Sequence, residues 1–405
     1  MVDNDRSRMS RRRFLGTAAL TGAVLSSGVP ATVSAQPSQL SDEVTVHEDI
    51  TYAEREAGER KTAGTLELDL YLPPGENVAP LIIYIHGGAW TLGSQKDTRG
   101  VERFAERGYA VASIEYRLSY IPDDVEPAFW IPEGGNVNGP RGTFPDHIVD
   151  VKAAIRWLRA HADEYNLDPD RFATWGSSAG AHLATLAGTM GDIEQVEGSI
   201  YDVTPSVYPE ESGRIQAVVG WYAGTNLQVM DEQLGEMGLF EHEEPNSPES
   251  LLVGGDINLN ALKVRRANPL TYVDFNDPSF LLMHGRKDAI VPYEQSEILL
   301  EALGRACVDS TLYVLNTLGH GFGFEELAGA PPEEQVIWQA GACDPGEHEG
   351  TPPAPEQIEG PPASEEVIDQ FLREKLNTAD GNPGRGDDNN PGRGEDDNPG
   401  RGRGN

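Results

Sequence analysis

Lysine is scarce in this sequence. It supplies six of the 31 basic residues, set against 66 Asp and Glu in a chain of 405. The formal net charge is -35. Carboxylates in such excess repel one another in dilute salt and are screened only when ions are abundant, so the balance reads as adaptation to high salt. It argues against nucleic acid or an anionic membrane as a partner. Long hydrophobic runs are also missing. The apolar run from Phe14 to about Val29 is too short for a permanent membrane span. Ser10-Arg11-Arg12-Arg13-Phe14-Leu15 precedes it and Val33-Ser34-Ala35 closes it. Residues 1–35 therefore read as a twin-arginine export signal with a small-residue cleavage site. No cysteine stands directly after that site, so neither an N-terminal lipid anchor nor any other stable membrane anchor is expected, and the mature chain should act outside the cytoplasm. Residues 1–35 carry five Arg and two Asp; residues 36–405 carry 26 basic and 64 acidic residues, a net -38.

Cysteine is the next scarcity. Cys307 and Cys343 are the whole supply, enough for one disulfide. In an exported protein a pair suggests a bridge, which would enclose His320 and add about 3–4 kcal/mol by the chain-entropy model. Two separate thiols are the alternative. Beyond Ala379 apolar residues stop altogether, and Asn-Pro-Gly-Arg-Gly occurs at 382–386, 390–394 and 398–402. Such a segment cannot bury a core, so residues 377–405 are expected to be a disordered, solvating tail.

The remaining stretch, residues 36–376, alternates strand-like and helix-like segments. Residues 44–53 and 66–72 read as two edge strands. Leu81-Ile82-Ile83-Tyr84-Ile85 is a continuous apolar run, typical of a central parallel strand. Further strands are expected at 109–116, 171–175, 215–222, 279–283 and 311–315, the last of the series. Ile148, Val151, Ile155 and Leu158 give a helix with one buried face. A second apolar face lies at 293–305 and a closing helix at 364–376. This pattern predicts an α/β fold, a mainly parallel sheet of about eight strands flanked by helices. Two long stretches interrupt it. Residues 119–143, with Phe129 and Trp130, form a Pro/Gly-rich insert, and residues 223–278 form an excursion able to cap a site.

The chemistry sits at strand ends. Gly176-Ser177-Ser178-Ala179-Gly180 is G-x-S-x-G with Ser178 at its centre, between an apolar strand and an Ala/Leu-rich helix. That context marks a nucleophile elbow: the serine projects from a strained turn, glycines remove colliding side chains, and the helix N-terminus faces the developing oxyanion. The 81–85 strand runs into His86-Gly87-Gly88-Ala89-Trp90. An HGG-type loop after that strand supplies oxyanion donors, so the amides of Gly88, Ala89 and Ala179 are the candidates. The acid and base should come after the serine in that order. Of nine histidines only His284, His320 and His348 lie beyond the excursion. His320, between glycines just after a strand, is the candidate base. Asp288 comes after its strand and shares the edge of Ser178, whereas Asp274 and Asp277 precede it and fall at the wrong end. The expected triad is Ser178, His320 and Asp288, with no metal.

Residues 82–323 resemble the α/β-hydrolase esterases of the feruloyl/acetylxylan-esterase-like group, near the hormone-sensitive-lipase-like family. The matching residues are His86-Gly87-Gly88-Ala89-Trp90, Glu115-Tyr116-Arg117-Leu118-Ser119, Phe144-Pro145 onward through Val151 to Leu158, the serine motif, His284-Gly285 with Asp288, Val291-Pro292 and Gly319-His320-Gly321. The resemblance implies an α/β-hydrolase fold and a cofactor-free serine carboxylester hydrolase. Its substrate would be a small acyl or aryl ester, free or linked to polysaccharide. Three departures stand out: the length of the 119–143 insert and of 322–363, either of which could reshape the pocket, and His182 where a second glycine often comes after the motif. An amide hydrolase of the same fold is the competing enzyme, although the propeller domain of oligopeptidase relatives is not expected. A non-catalytic surface interaction protein is the competing class, supported by the repeats alone. Acyl and alcohol preference and oligomeric state stay open.

Overall fold

The computed structural model describes residues 43–126, 139–192, 207–341, 343 and 353–377. The expected export signal, the repeat tail beyond Asn377 and the centre of the 119–143 insert, with Phe129 and Trp130, lie outside the described residues.

The strands in chain order are β1 (Thr45–Arg55), β2 (Gly64–Leu72), β3 (Ala79–Ile85), β4 (Ala110–Ile114), β5 (Leu118–Ser119), β6 (Arg141–Gly142), β7 (Leu167–Ser177), β8 (Ala217–Trp221), β9 (Ser279–Gly285), β10 (Ser310–Leu315), β11 (Gln335–Ala340) and β12 (Glu356–Ile358). β5 and β6 pair with each other and pin together the two ends of the 119–143 insert. The other ten form one sheet, ordered β1-β2-β4-β3-β7-β8-β9-β10-β11-β12. The six strands from β4 to β10 run parallel, and antiparallel pairs extend both edges. This is the α/β-hydrolase fold.

Two expectations are corrected. β2 is not an edge strand; it pairs with both β1 and β4, turning Leu66, Leu68 and Leu70 into the core between Glu67 and Asp69. The strand at 311–315 is not the last. Within the long 322–363 segment, β11 and β12 extend the sheet outward beyond β10. Neither strand carries a clean alternation: Ile337 and Ala340 are buried while Val336 and Trp338 are half-buried, and β12 has three residues.

Burial on both faces explains the continuous apolar run in β3. Leu81, Ile83 and Ile85 face a core shared with α1 (Asp146–Ala160), α3 (Ala179–Met190) and α7 (Glu294–Arg305). Between α1 and β7 lies a single turn of helix, α2 (Ala162–Tyr165). Ile82 and Tyr84 face the opposite core, with the 3-10 helix Val101–Arg107 and the closing helix Glu365–Asn377. Gly108 ends the 3-10 helix in the left-handed conformation, φ 95°, returning its N–H to the Ala105 and Phe104 carbonyls.

α1 departs from the one-faced helix its apolar spacing predicts. Ile148, Val151, Ile155 and Leu158 enter the core, yet Asp146, Asp150, Lys152 and Arg156 on the other side are buried too. Ion pairs make this tolerable. Arg117 grips Asp150 through Nε at 2.8 Å and Nη2 at 2.9 Å, and Arg55 reaches the same carboxylate at 2.8 Å. Lys152 Nζ donates to the carbonyls of Ala187, Gly191 and Gly213. Buried charges persist when paired in this way, although the pairs stabilise little beyond their own desolvation.

The chain leaves β3 toward β4 on one side and resumes at β7 on the other, so the strand order reverses between β3 and β7. The carboxyl ends of those two strands open the crevice where ligands bind in open α/β sheets. The 223–278 excursion arches from β8 to β9 as α4 (Met230–Leu234), α5 (Pro248–Val253), α6 (Ala261–Ala267) and short 3-10 turns. α8 (Phe324–Gly329) comes after the β10 loop. Cys307, just after α7, and Cys343, just after β11, form a disulfide with Cα atoms 4.8 Å apart.

Candidate active site

Ser178 sits at the tip of the β7–α3 turn with φ 54° and ψ -121°. A non-glycine residue in that region stores strain, and the surroundings hold it there. The Ser178 amide donates to the Trp221 carbonyl at 2.9 Å, and the Ser178 carbonyl accepts from the His182 amide at 2.9 Å. The motif glycines let three backbones meet: a Cβ on Gly176 would overlap the Gly180 carbonyl, and one on Gly180 would overlap the Ile85 carbonyl of β3. Ser177, outside the motif frame, is buried with its Oγ 3.1 Å from the Tyr84 hydroxyl.

His320, on the loop after β10, places Nε2 3.0 Å from Ser178 Oγ and Nδ1 2.7 Å from Asp288 Oδ2. Asp288 is 1% exposed. Burial would raise its pKa, but hydrogen bonds from His284 and His320 outweigh that, and the group is held well below the usual carboxylate range. Its other oxygen accepts from the amides of Ile290 at 2.9 Å and Val291 at 2.8 Å. An ionised Asp288 can only accept, so His320 carries its proton on Nδ1 and turns a bare Nε2 to the serine. Tyr222 stands edge-on to the His320 ring at 4.7 Å, and its hydroxyl donates to the Phe322 carbonyl at 3.0 Å.

Gly88, Ala89 and Ala179 line the same cavity as Ser178 and His320. The amides of Gly88 and Ala89 donate to no other described residue. Both residues have positive φ, 110° and 51°, as does Trp90 at 57°, so this loop is a compressed turn with its N–H groups left over. All six sequence-derived site residues are thus brought to one place. Asp277 lies at the start of β9, the opposite end of the sheet from the cavity, as its position before the strand implies.

Four side-chain roles were not assigned from the sequence. His284 is fully buried, with Nδ1 2.8 Å from Ser296 Oγ and Nε2 2.9 Å from the Val291 carbonyl and 3.3 Å from Asp288. It braces the Asp288 turn; its spacing four residues before the acid was the available signal. His182 accepts from Trp90 Nε1 at 3.2 Å and donates to the Ala267 carbonyl at 2.6 Å, tying the oxyanion loop to the excursion. Desolvation pushes its pKa down to about 4, only partly opposed by that carbonyl, so the ring is neutral. His86 packs flat against Tyr116 at 4.4 Å under the same loop. Finally, His242 and Glu249 pair at 2.9 Å on the excursion side of the cavity. Burial works against a charge on His242, but Glu249 more than offsets it and the pKa is raised.

The cavity holds about 280 Å³, room for a small ligand. Its sheet-side wall is Gly87 to Trp90, Ser178 and Ala179; its far wall is Met230, Phe240, Pro248, Ile290 and Val291 with the His242–Glu249 pair.

A serine elbow on β7, an acid after β9 and a histidine after β10, facing free amides after β3, define a serine hydrolase site of the α/β-hydrolase class. The chain belongs to the BD-FAE family, whose model matches residues 68–129 and 139–303 and so includes Ser178 and Asp288. His320 lies beyond the matched span and is placed by geometry alone. The chain is 28% identical over 298 residues to the probable carboxylic ester hydrolase LipM of Mycobacterium tuberculosis, covering 71% of this chain and 61% of that one. It is 31% identical over 264 residues to the esterase LipC of the same organism, covering 62% and 55%. It thus spans little more than half the length of these curated relatives. Among solved structures, a truncated form of a carbohydrate esterase from gut microbiota superposes with a TM-score of 0.56 at 26% identity, covering 68% of this chain and 89% of that one.

Proposed function

We propose that the protein is a serine carboxylester hydrolase that cleaves small acyl or aryl esters through an acyl-enzyme on Ser178. The observation that carries this reading is the continuous relay from Asp288 through His320 to Ser178, set beside unpaired amides. In the first half, Ser178 Oγ adds to the ester carbonyl carbon while His320 Nε2 takes its proton. The carbonyl oxygen becomes an oxyanion facing the N–H groups of Gly88, Ala89 and Ala179. Collapse breaks the bond to the alcohol oxygen, which receives the proton from Nε2 and leaves. In the second half a water gives its proton to the same nitrogen and adds to the acyl carbon; the bond to Ser178 Oγ then breaks, Oγ takes the proton back from Nε2, and the acid is released. Asp288 holds the tautomer and stabilises the imidazolium throughout.

Hydrolysis of a panel in multimolar salt tests this, comparing wild type with Ser178→Ala. The panel is p-nitrophenyl acetate to decanoate, methyl ferulate, acetylated xylan, N-formylkynurenine and a peptide anilide. Ester turnover should fall by more than about 10³-fold in the variant. Turnover of the formamide or anilide alone would reject the ester reading. The carbohydrate esterase among the structural neighbours supports a polysaccharide-linked ester as substrate. The paired arginines of the N-terminus support export, and the net charge of -35 supports a saline setting. A melting temperature that rises with salt up to molar concentrations is the expected signature of the latter; an unchanged one in dilute buffer rejects it.

A further inference from the structure

One charge on the cavity wall is left unused by the reaction. Arg99 lines the same cavity as Ser178 and His320, and among the described lining residues it is the sole lysine or arginine. The amides of Gly88, Ala89 and Ala179 face the oxyanion, and Asp288 serves His320, so neither half of the hydrolysis calls on a guanidinium. On the far wall, His242 and Glu249 are buried and bonded to each other at 2.9 Å. A chain with a net charge of -35 thus carries a lone cation beside its catalytic centre.

The backbone at Arg99 is held in an unusual shape. The Val101 amide donates to the Thr98 carbonyl at 3.0 Å, closing a four-residue turn whose central residues, Arg99 and Gly100, have φ 53° and 82°. Two positive φ values in succession are the pattern of a type I′ turn, in which Asn, Asp or Gly normally fills the first central place. Arginine there stores strain, and strain of this kind gathers at functional positions. The guanidinium itself is loosely engaged. Of its five N–H groups, one on Nη1 donates to the Gly321 carbonyl at a long 3.3 Å, and Nε stands 3.8 Å from an Asp97 carboxylate that is itself half open to solvent. It has no other partner among the described residues. Glu326, another carboxylate nearby, is taken up by the Gly323 amide at 2.9 Å. The Arg99 side chain is 41% exposed, so a ligand entering the cavity reaches it.

We infer that Arg99 is a subsite for a carboxylate on the alcohol portion of the ester, so that the protein prefers esters formed on the hydroxyl of a hydroxy acid. The inference rests on the hydrolase reading and narrows it. Gly321 directly follows His320, so Arg99 stands at the rim on the side where Nε2 hands its proton to the departing alcohol. A planar guanidinium with free N–H groups on Nη1 and Nη2 matches the two oxygens of a carboxylate. The acidic surface repels such an anion in dilute salt. Molar salt screens that field at a distance, whereas a direct hydrogen-bonded contact survives it.

3-Acetoxybenzoate and 3-acetoxybenzamide test this on the full chain in multimolar salt at neutral pH, since they match in size and differ by the charge on the leaving phenol. Arg99→Gln should lower kcat/KM for the benzoate about tenfold more than for the benzamide. That is the lower end for a hydrogen bond to a charged group, because Arg99 is partly open to solvent. The ratio between the two esters cancels any general loss from the Gly321 contact. Arg99→Lys, which keeps the charge and loses the fork, should fall between. Equal losses on both esters would make Arg99 a brace for the His320 loop and overturn the inference. Binding to Ser178→Ala protein separates the subsite from the parent reading. Kd for the benzoate should rise about tenfold when Arg99→Gln is added, with less change for the benzamide. If wild type hydrolyses neither ester but that binding difference holds, the hydrolase reading fails and the subsite stands. If benzoate binding ignores Arg99→Gln, the subsite fails whatever the enzyme hydrolyses.

Discussion

The two walls of the cavity are built in different ways. On the sheet side each polar atom of the triad has a partner: Asp288 takes two amides and His320, His320 takes Asp288 and Ser178, and His284 braces the turn behind. Ser178, Asp288 and His320 sit one, three and five positions past the ends of parallel strands, so the sheet itself fixes their spacing. On the excursion side the wall is made of short helices and loops. The difference teaches where each task lies. Bond-making chemistry needs donors and acceptors settled before substrate arrives, and rigid strand ends provide that. Selection among substrates is left to the side chains of the opposite wall and rim, whose positions the sheet does not fix.

The division can be broken most sharply at Asp288. Asp288→Asn should leave the sheet packed but present an N–H to His320, favouring the wrong tautomer. A fall in kcat of about 10⁴-fold is expected, with much less change in KM. Steady-state kinetics on p-nitrophenyl acetate measure it, and a loss confined to KM would mean that the two walls do not divide the work this way.

The join between the walls is His182, and pH reaches it. Its folded pKa of about 4 lies below the ordinary value of 6.5. Between those values the unfolded chain takes up a proton that the folded ring refuses, so stability is lost as pH falls from about 6.5 to 4. The full effect is about 3 kcal/mol. Urea midpoints at pH 7 and pH 4.5 should draw closer together in His182→Gln than in wild type. An unchanged pH slope would remove the ring from the account. The smallest expected effect is on the far wall. Phe240→Ala should raise KM for a short-chain aryl ester by up to about tenfold, the worth of lost apolar contact, with kcat nearly held. An equal drop in kcat would show that this wall also shapes the reaction geometry.

The same contrast decided what could be read from the chain. Ser178, Asp288, His320 and the Gly88–Ala89 loop were legible because each lies just past a strand whose apolar run announces it, and because their order along the chain is constrained. The parallel centre of the sheet was legible for the same reason. β11 and β12 were not, since an added antiparallel pair half-open to solvent leaves no strict alternation. β2 read as an edge because a two-period pattern does not say how many neighbours a strand has. The polar side of α1 read as exposed, because Arg55 and Arg117 come from elsewhere in the chain to bury it. His242 and Glu249 gave no signal: they lie in an aperiodic acidic stretch, and only the folded excursion turns them to the cavity. His182 registered only as a missing glycine, since its partners Trp90 and Ala267 are 92 and 85 residues away.

That imidazole has a consequence of its own. It is neutral, with one nitrogen receiving from Trp90 and the other giving to Ala267. A second proton would leave it with two donors. The carbonyl of Ala267 would still be met, but the indole N–H of Trp90 would face another N–H. Acid should therefore unfasten the structure in a fixed order. The loop bearing the Gly88 and Ala89 amides would come loose first while the excursion stayed attached, so the enzyme would fall silent before it came apart.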